Sequence, residues 1–218
     1  MDLMNLLRSV EALLYEIVSW LVFYPLTLWR CIVSPVEMAL YAEKELTDPP
    51  DQQFEDALSP PLFLFLTLLL AHGLQATFGT SQAELPGVLA DIRSGLLFQA
   101  VIFSLFPLLF AIQRVKQTGQ DITRSSVRPA FYGQCYMVVP FALSVEIALV
   151  VFQTSRITGA VVLLAATIWY LACLTRWSAN DGVSSAPKAF ARALGTLILG
   201  ALGFLTIVVV VALAIVQR

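Results

Sequence analysis

Three polar side chains, His72, Gln99 and Glu146, stand inside stretches that are otherwise apolar. Acids and histidines placed within a bilayer are the usual parts of proton relays and ion paths, because each can take up and release a proton. The same groups can instead serve only as hydrogen bonds between helices, each worth about 0.6 kcal/mol. A single acid, a single histidine and no second carboxylate favour the second role, and both stay open. If they form a path, they line a small polar cavity in a transporter or channel subunit. Other chemistry has little to work with. The sequence lacks HExxH, GxSxG, a Gly-rich phosphate loop and a Walker-type lysine. One histidine cannot build a multi-histidine metal site, and Cys31, Cys135 and Cys173 form no CxxC pair. Ser125 and Ser126 lie beside Arg124 and Arg128 with no base placed to activate them. That basic segment suits anionic lipid headgroups, at about 1 kcal/mol per nearby positive charge. No catalytic residue, cofactor or metal site is expected, and the chain reads as a non-enzyme.

The elements that would carry these side chains announce themselves by missing charge. Residues 57–83, 94–113, 129–145, 157–175 and 193–217 contain no Asp, Glu, Lys or Arg. A helix needs about 20 mainly apolar residues to cross the hydrocarbon core. The third run reaches that length only by passing through Glu146. Predicted spans are therefore centred on 62–78, 95–112, 131–152, 157–175 and 193–216. The chain is 58% apolar and only 13% charged, with a mean hydropathy of +0.80. That balance argues against a large aqueous domain. A net charge of −2 argues against a nucleic-acid partner. The expectation is an all-α, polytopic transmembrane bundle of five spanning helices in 57–218, with a cytoplasmic or interfacial region in 1–56.

Loop charges orient the spans. Arg8, Arg30, Lys44, Arg114, Lys116, Arg124, Arg128, Arg176, Lys188 and Arg192 fall on one side; Arg93, Arg156 and Arg218 fall on the other. Basic residues in short loops favour the cytoplasm, so the N-terminus is expected inside and the C-terminus outside. Tyr132, Trp169, Tyr170 and Trp177 lie near the cytoplasmic interface as candidate aromatic anchors. Glu146 then sits six residues before Phe152, and His72 six before Phe78, each roughly 9 Å from the outer end. Gln99 enters near the same depth from the opposite direction.

Residues 3–24 show apolar positions at helical spacing and read as an amphipathic interfacial helix. The charge-free part, 17–29, is short and interrupted by Pro25; the alternative is a sixth span that buries Glu16. Pro35 opens a second short helix, 36–45. A connector follows, rich in Pro and acid, with Glu43, Glu45, Asp48, Asp51, Glu55 and Asp56 against one lysine. It reads as a solvated link, or more sharply as an acidic docking segment using Asp48, Asp51, Glu55 and Asp56. Pro140 should kink the third span. Gly195, Gly200 and Gly203 give the last span a small-residue face for packing, or for a membrane-protein partner or second copy.

Several short motifs together resemble the Yip-type membrane proteins. They are Trp29-Arg30-Cys31-Ile32-Val33-Ser34-Pro35 before the membrane, Tyr132-Gly133-Gln134-Cys135-Tyr136-Met137-Val138-Val139-Pro140 in the third span, and Ala189-Phe190-Ala191-Arg192 before the last. The resemblance covers residues 26–216. It implies five spans and a cytoplasmic N-terminus. Eukaryotic members act in vesicle trafficking and contact small GTPases through a longer N-terminal region. This chain reaches its first span by about residue 60 and is similar to the compact bacterial members, which implies the inner (plasma) membrane.

Overall fold

The computed structural model describes residues 3–78, 92–180 and 186–216. These form seven α-helices and, among the described residues, no strand. They are α1 (Leu3–Val33), α2 (Pro35–Glu45), α3 (Pro60–Phe78), α4 (Ile92–Gln117), α5 (Arg124–Thr154), α6 (Arg156–Asn180) and α7 (Ala186–Val216). The last five overlap the five charge-free runs in position.

Prolines and caps set the boundaries. Pro35 has no N–H and pushes Ser34 out of helical geometry, so the helical ladder breaks between α1 and α2. Pro35 then occupies the first turn of α2, where a missing donor costs nothing. At the start of α5, Thr123 accepts from the Ser126 backbone N–H while the Ser126 hydroxyl accepts from Thr123 N–H. This is a capping box with serine in the reaching role. Pro129 and Pro140 both lie within α5, and the helix continues unbroken through each.

The N-terminal element differs from expectation. The sequence predicts an interfacial helix ending near residue 24; α1 instead runs through Pro25 to Val33. A proline removes one ladder hydrogen bond, here to the Leu21 carbonyl, and helices in apolar surroundings tolerate that. Among the described residues four helices are long and apolar enough to cross a membrane: Arg8–Val33, Arg124–Thr154, Arg156–Ala179 and Ala186–Ile207. Pro60–Leu74 of α3 is apolar but shorter.

The central helix is α5. It packs against α1, α2, α3, α4 and α6, while α7 packs against α4 and α6. Short α2 wedges into this assembly through buried Met38, Ala39 and Ala42. It approaches α5 closely because Gly133 has no side chain: a Cβ there would lie 3.0 Å from the Ala39 carbonyl oxygen. The outer surface is the reverse of a soluble protein's. On α6, Ile157, Val161, Leu164 and Ile168 are 60–80% exposed at helical spacing, while Tyr170, Leu174 and Trp177 are buried. Apolar stripes this extensive on the outside suit lipid, and the helical backbone satisfies its own polar groups. The chain has the architecture of a helical membrane protein.

The α5–α6 hairpin turns on the single residue Ser155, whose N–H bonds to the Val151 carbonyl and whose hydroxyl accepts from Thr158 N–H at 3.3 Å. So tight a return needs Gly159, where a Cβ would meet Phe152 Cγ at 2.6 Å and Phe152 N at 2.9 Å. Gly159→Val should therefore destabilise the hairpin by about 1–3 kcal/mol. The lipid-facing neighbour change Ala160→Val should stay within about 0.5 kcal/mol. Thermal unfolding in detergent compares the two, and equal midpoints would refute the close approach.

Candidate functional site

The polar chemistry of the described residues concentrates where the connector re-enters the bundle ahead of α3. Leu58 is buried there, yet it belongs to no helix, so its backbone groups need partners from elsewhere. Its N–H donates to the Thr27 hydroxyl of α1 at 3.3 Å, and its carbonyl accepts from the Tyr136 hydroxyl of α5 at 2.6 Å. Thr27 and Tyr136 are both fully buried. One residue of loop thus joins two helices far apart in sequence. One turn further into the bundle, the Tyr24 and Thr67 hydroxyls share a hydrogen bond of 3.0 Å.

At the outer edge of this junction lies an ion pair. Arg30 Nη1 contacts Asp56 Oδ2 at 3.1 Å, and the Tyr41 hydroxyl donates to the other carboxylate oxygen. The Arg30 guanidinium also sits 5.2 Å over the Tyr41 ring. The Tyr41 hydrogen bond, helped by Arg30, holds the Asp56 carboxyl below its ordinary range against a partial desolvation penalty. Burial, then the Asp56 contact, pushes the Tyr41 phenol up. The pair is half open to water, so its contribution is at most about 1 kcal/mol. Its role is to position α1, α2 and the connector.

A second lock joins α2, α4 and α6. Arg114 Nη2 lies 3.4 Å from Glu43 Oε1, with both side chains mostly shielded. The guanidinium stacks 3.9 Å over the Trp177 ring, a geometry a lysine could not reproduce. Beside Gly133, Gln134 is fully buried, and neither amide atom has a hydrogen-bond partner among the described residues.

The acidic connector is therefore less solvated than its composition suggests. Glu43 pairs with Arg114, Glu45 accepts the Phe54 N–H at 2.6 Å, and Asp56 is held by Arg30 and Tyr41. Phe54 takes a left-handed φ of 59°, unusual for a non-glycine, and packs its ring near Tyr41 and Tyr132. Of the expected docking acids, Asp48, Asp51 and Glu55 face water freely, while Asp56 is engaged within the chain. Two expected interface anchors also change role. Tyr170 stacks on Phe141 with ring centroids 4.7 Å apart, and Trp177 sits under Arg114, so both are interior residues.

Glu146, on α5, is 4% exposed and faces the bundle, as a carboxyl in a membrane should. His72 is half-buried on α3, which packs against α5. Gln99 lies on α4 in a stretch whose side chains are outside those described, so the three-way meeting stays a sequence expectation. Pro140 is buried, and its carbonyl accepts from Ser144 Oγ at 2.7 Å. Gly200 and Gly203 are occupied within the chain. A Cβ at Gly200 would meet Phe106 of α4 at 2.7 Å, and one at Gly203 would meet Leu105 at 3.5 Å. Only Gly195 of the three faces open space.

Sequence reasoning missed Thr27, Arg114 and the hydroxyl of Tyr136 as junction residues. Each looks unremarkable alone; the available signal was a polar group in an apolar run, with a Pro-rich loop needing partners. Tyr136→Phe leaves the buried Leu58 carbonyl without its donor and should cost about 1–3 kcal/mol. Thermal midpoints in detergent read this directly. A Phe variant as stable as wild type would mean the hydroxyl does not hold the loop.

No family model, curated protein or solved structure matches the chain.

Proposed function

We propose that this protein is a non-enzymatic scaffold or accessory component of a membrane, as the resemblance to compact Yip-type proteins implies. The observation that carries this reading is where the polar side chains are directed. Thr27, Arg30, Tyr41, Glu43, Asp56, Arg114 and Tyr136 are all turned onto other elements of the same chain. They lock helices together. The acids left facing water, Asp48, Asp51 and Glu55, lie on a connector that is itself pinned in place, which suits docking of a basic partner. A second reading, a small transporter or channel subunit, draws on Glu146, a buried carboxyl deep in α5.

The two readings separate on reconstitution. Liposomes carrying the wild type should show no pH-driven proton or ion flux beyond protein-free liposomes. Crosslinking from the connector in native membranes should capture a partner, and neutralising Asp48, Asp51 and Glu55 should weaken that capture. Flux that Glu146→Gln abolishes would instead establish the transporter reading.

In the proposed topology α3 to α7 cross an inner (plasma) membrane with their basic ends in the cytoplasm and the C-terminus outside. The loop charges alone leave α1 undecided, and the Tyr24–Thr67 hydrogen bond supports a crossing. Thr67 lies seven residues into α3, roughly 10 Å from its start. Mid-α1 at that depth supports a sixth crossing over an interfacial helix, and only Arg8 moves to the far side. A tag before Leu3 should then be cleaved by protease added outside spheroplasts. Protection there, with cleavage only after lysis, would restore the cytoplasmic N-terminus.

A further inference from the structure

A groove of about 910 Å³ runs between α4 and α5, near the upper end of the range for small-molecule sites. Leu105, Leu108 and Ile112 form one wall, and Ile122, Val127 and Phe131 form the other. Leu108 is 39% and Ile122 54% exposed, so this apolar surface is open rather than covered by another of the described elements. From Ser104 to Ile112 the α4 wall extends roughly 12 Å. That suits the length of an acyl chain better than a compact solute.

The groove is not uniformly apolar. Arg124 and Arg128 line one end, one helical turn apart on α5. Neither is in an ion pair among the described residues, unlike Arg30 and Arg114. Arg128 lies 5.2 Å over the Tyr132 ring, which places its guanidinium along the groove wall. This end is also the start of α5, whose dipole favours an anion, although the capping box already takes the Ser126 N–H. The nearby carboxylate is Asp121, a single negative charge against two arginines, and its backbone carbonyl accepts from Ser126 Oγ at 2.7 Å.

We propose that this groove binds one anionic glycerophospholipid from the leaflet on the basic side of the bundle. The phosphate lies between Arg124 and Arg128 at the start of α5, and an acyl chain lies in the trough between α4 and α5. The charged end selects the headgroup, and the apolar walls distinguish a lipid from free phosphate. The inference rests on α4 and α5 lying in a bilayer, which resistance of the protein to carbonate extraction tests separately.

The full chain is reconstituted in nanodiscs of 30% phosphatidylglycerol and 70% phosphatidylcholine, and lipids retained after release into detergent are counted by native mass spectrometry. The wild type should keep one phosphatidylglycerol at least fivefold in excess of its share in the disc. Arg124→Gln with Arg128→Gln should remove that preference. Leu108→Trp, which fills the trough and leaves both arginines intact, should also remove it. Lys188→Gln, elsewhere on the basic side, should leave it unchanged. Retention in proportion to the disc's composition by the wild type would overturn the proposal without recourse to any variant. So would an unchanged preference in either groove variant, or displacement of the lipid by millimolar inorganic phosphate.

Discussion

A loop that enters a protein interior must find partners for its own backbone, and this fold depends on how Leu58 does so. Its N–H and carbonyl face away from any helical ladder and are shielded from solvent. Leaving either unbonded would cost about 1–3 kcal/mol. Thr27 and Tyr136 remove that cost from opposite sides and so fix α1 and α5 to the same point. Helix α3 then starts immediately beyond, where Pro60 and Pro61 have no N–H that needs an acceptor and Phe63 N–H bonds to the Ser59 carbonyl. The position of the connector, and with it the ion pair of Arg30 and Asp56, follows from this anchoring.

The wedge of α2 is the second constraint. Helices in lipid gain little from hiding apolar surface, because lipid is as apolar as the interior; close approach and polar contacts must do the work. Gly133 supplies the close approach by letting α5 meet the Ala39 backbone. Glu43 supplies the polar contact through Arg114, and Trp177 shields the guanidinium. The result is a bundle that is tightly filled around α5 and exposes apolar side chains along α1, α6 and α7. Gly200 repeats the device between α7 and α4, where Phe106 fills the space a side chain would need.

The long apolar helices were legible because charge is excluded from them by energetics that depend only on local sequence. The short helix α2 was legible for a related reason: Pro35 marks its start, and proline acts on its own neighbours. What was not legible depends on residues distant in the chain. Trp177 and Tyr170 have the composition of interface anchors, and only the arrival of Arg114 and Phe141 makes them interior residues. The acids of the connector read as a solvated run because their partners, Arg30 and Arg114, lie on other helices. The extent of α1 was hidden by Pro25, whose lost hydrogen bond does not end the helix. Of the proposed intramembrane cluster, the burial of Glu146 was foreseeable from the cost of exposing a carboxyl to lipid; its neighbours were not, because helix rotation is set by packing.

Basic residues that a charge count places together on one side do different work in the fold. Arg30 and Arg114 each have a carboxylate and an aromatic ring, and they hold helices to one another. Arg124 and Arg128 lie beyond the reach of those acids, at the mouth of an apolar groove. A positive charge that orients a span needs only to stay out of the hydrocarbon; it is indifferent to what it pairs with. The fold uses that freedom twice. Where an acid of α2 or the connector is within reach, the charge becomes an internal lock, and where none is, it stays out of ion pairs among the described residues. The distribution of carboxylates, rather than that of the arginines, therefore decides which basic residues are structural.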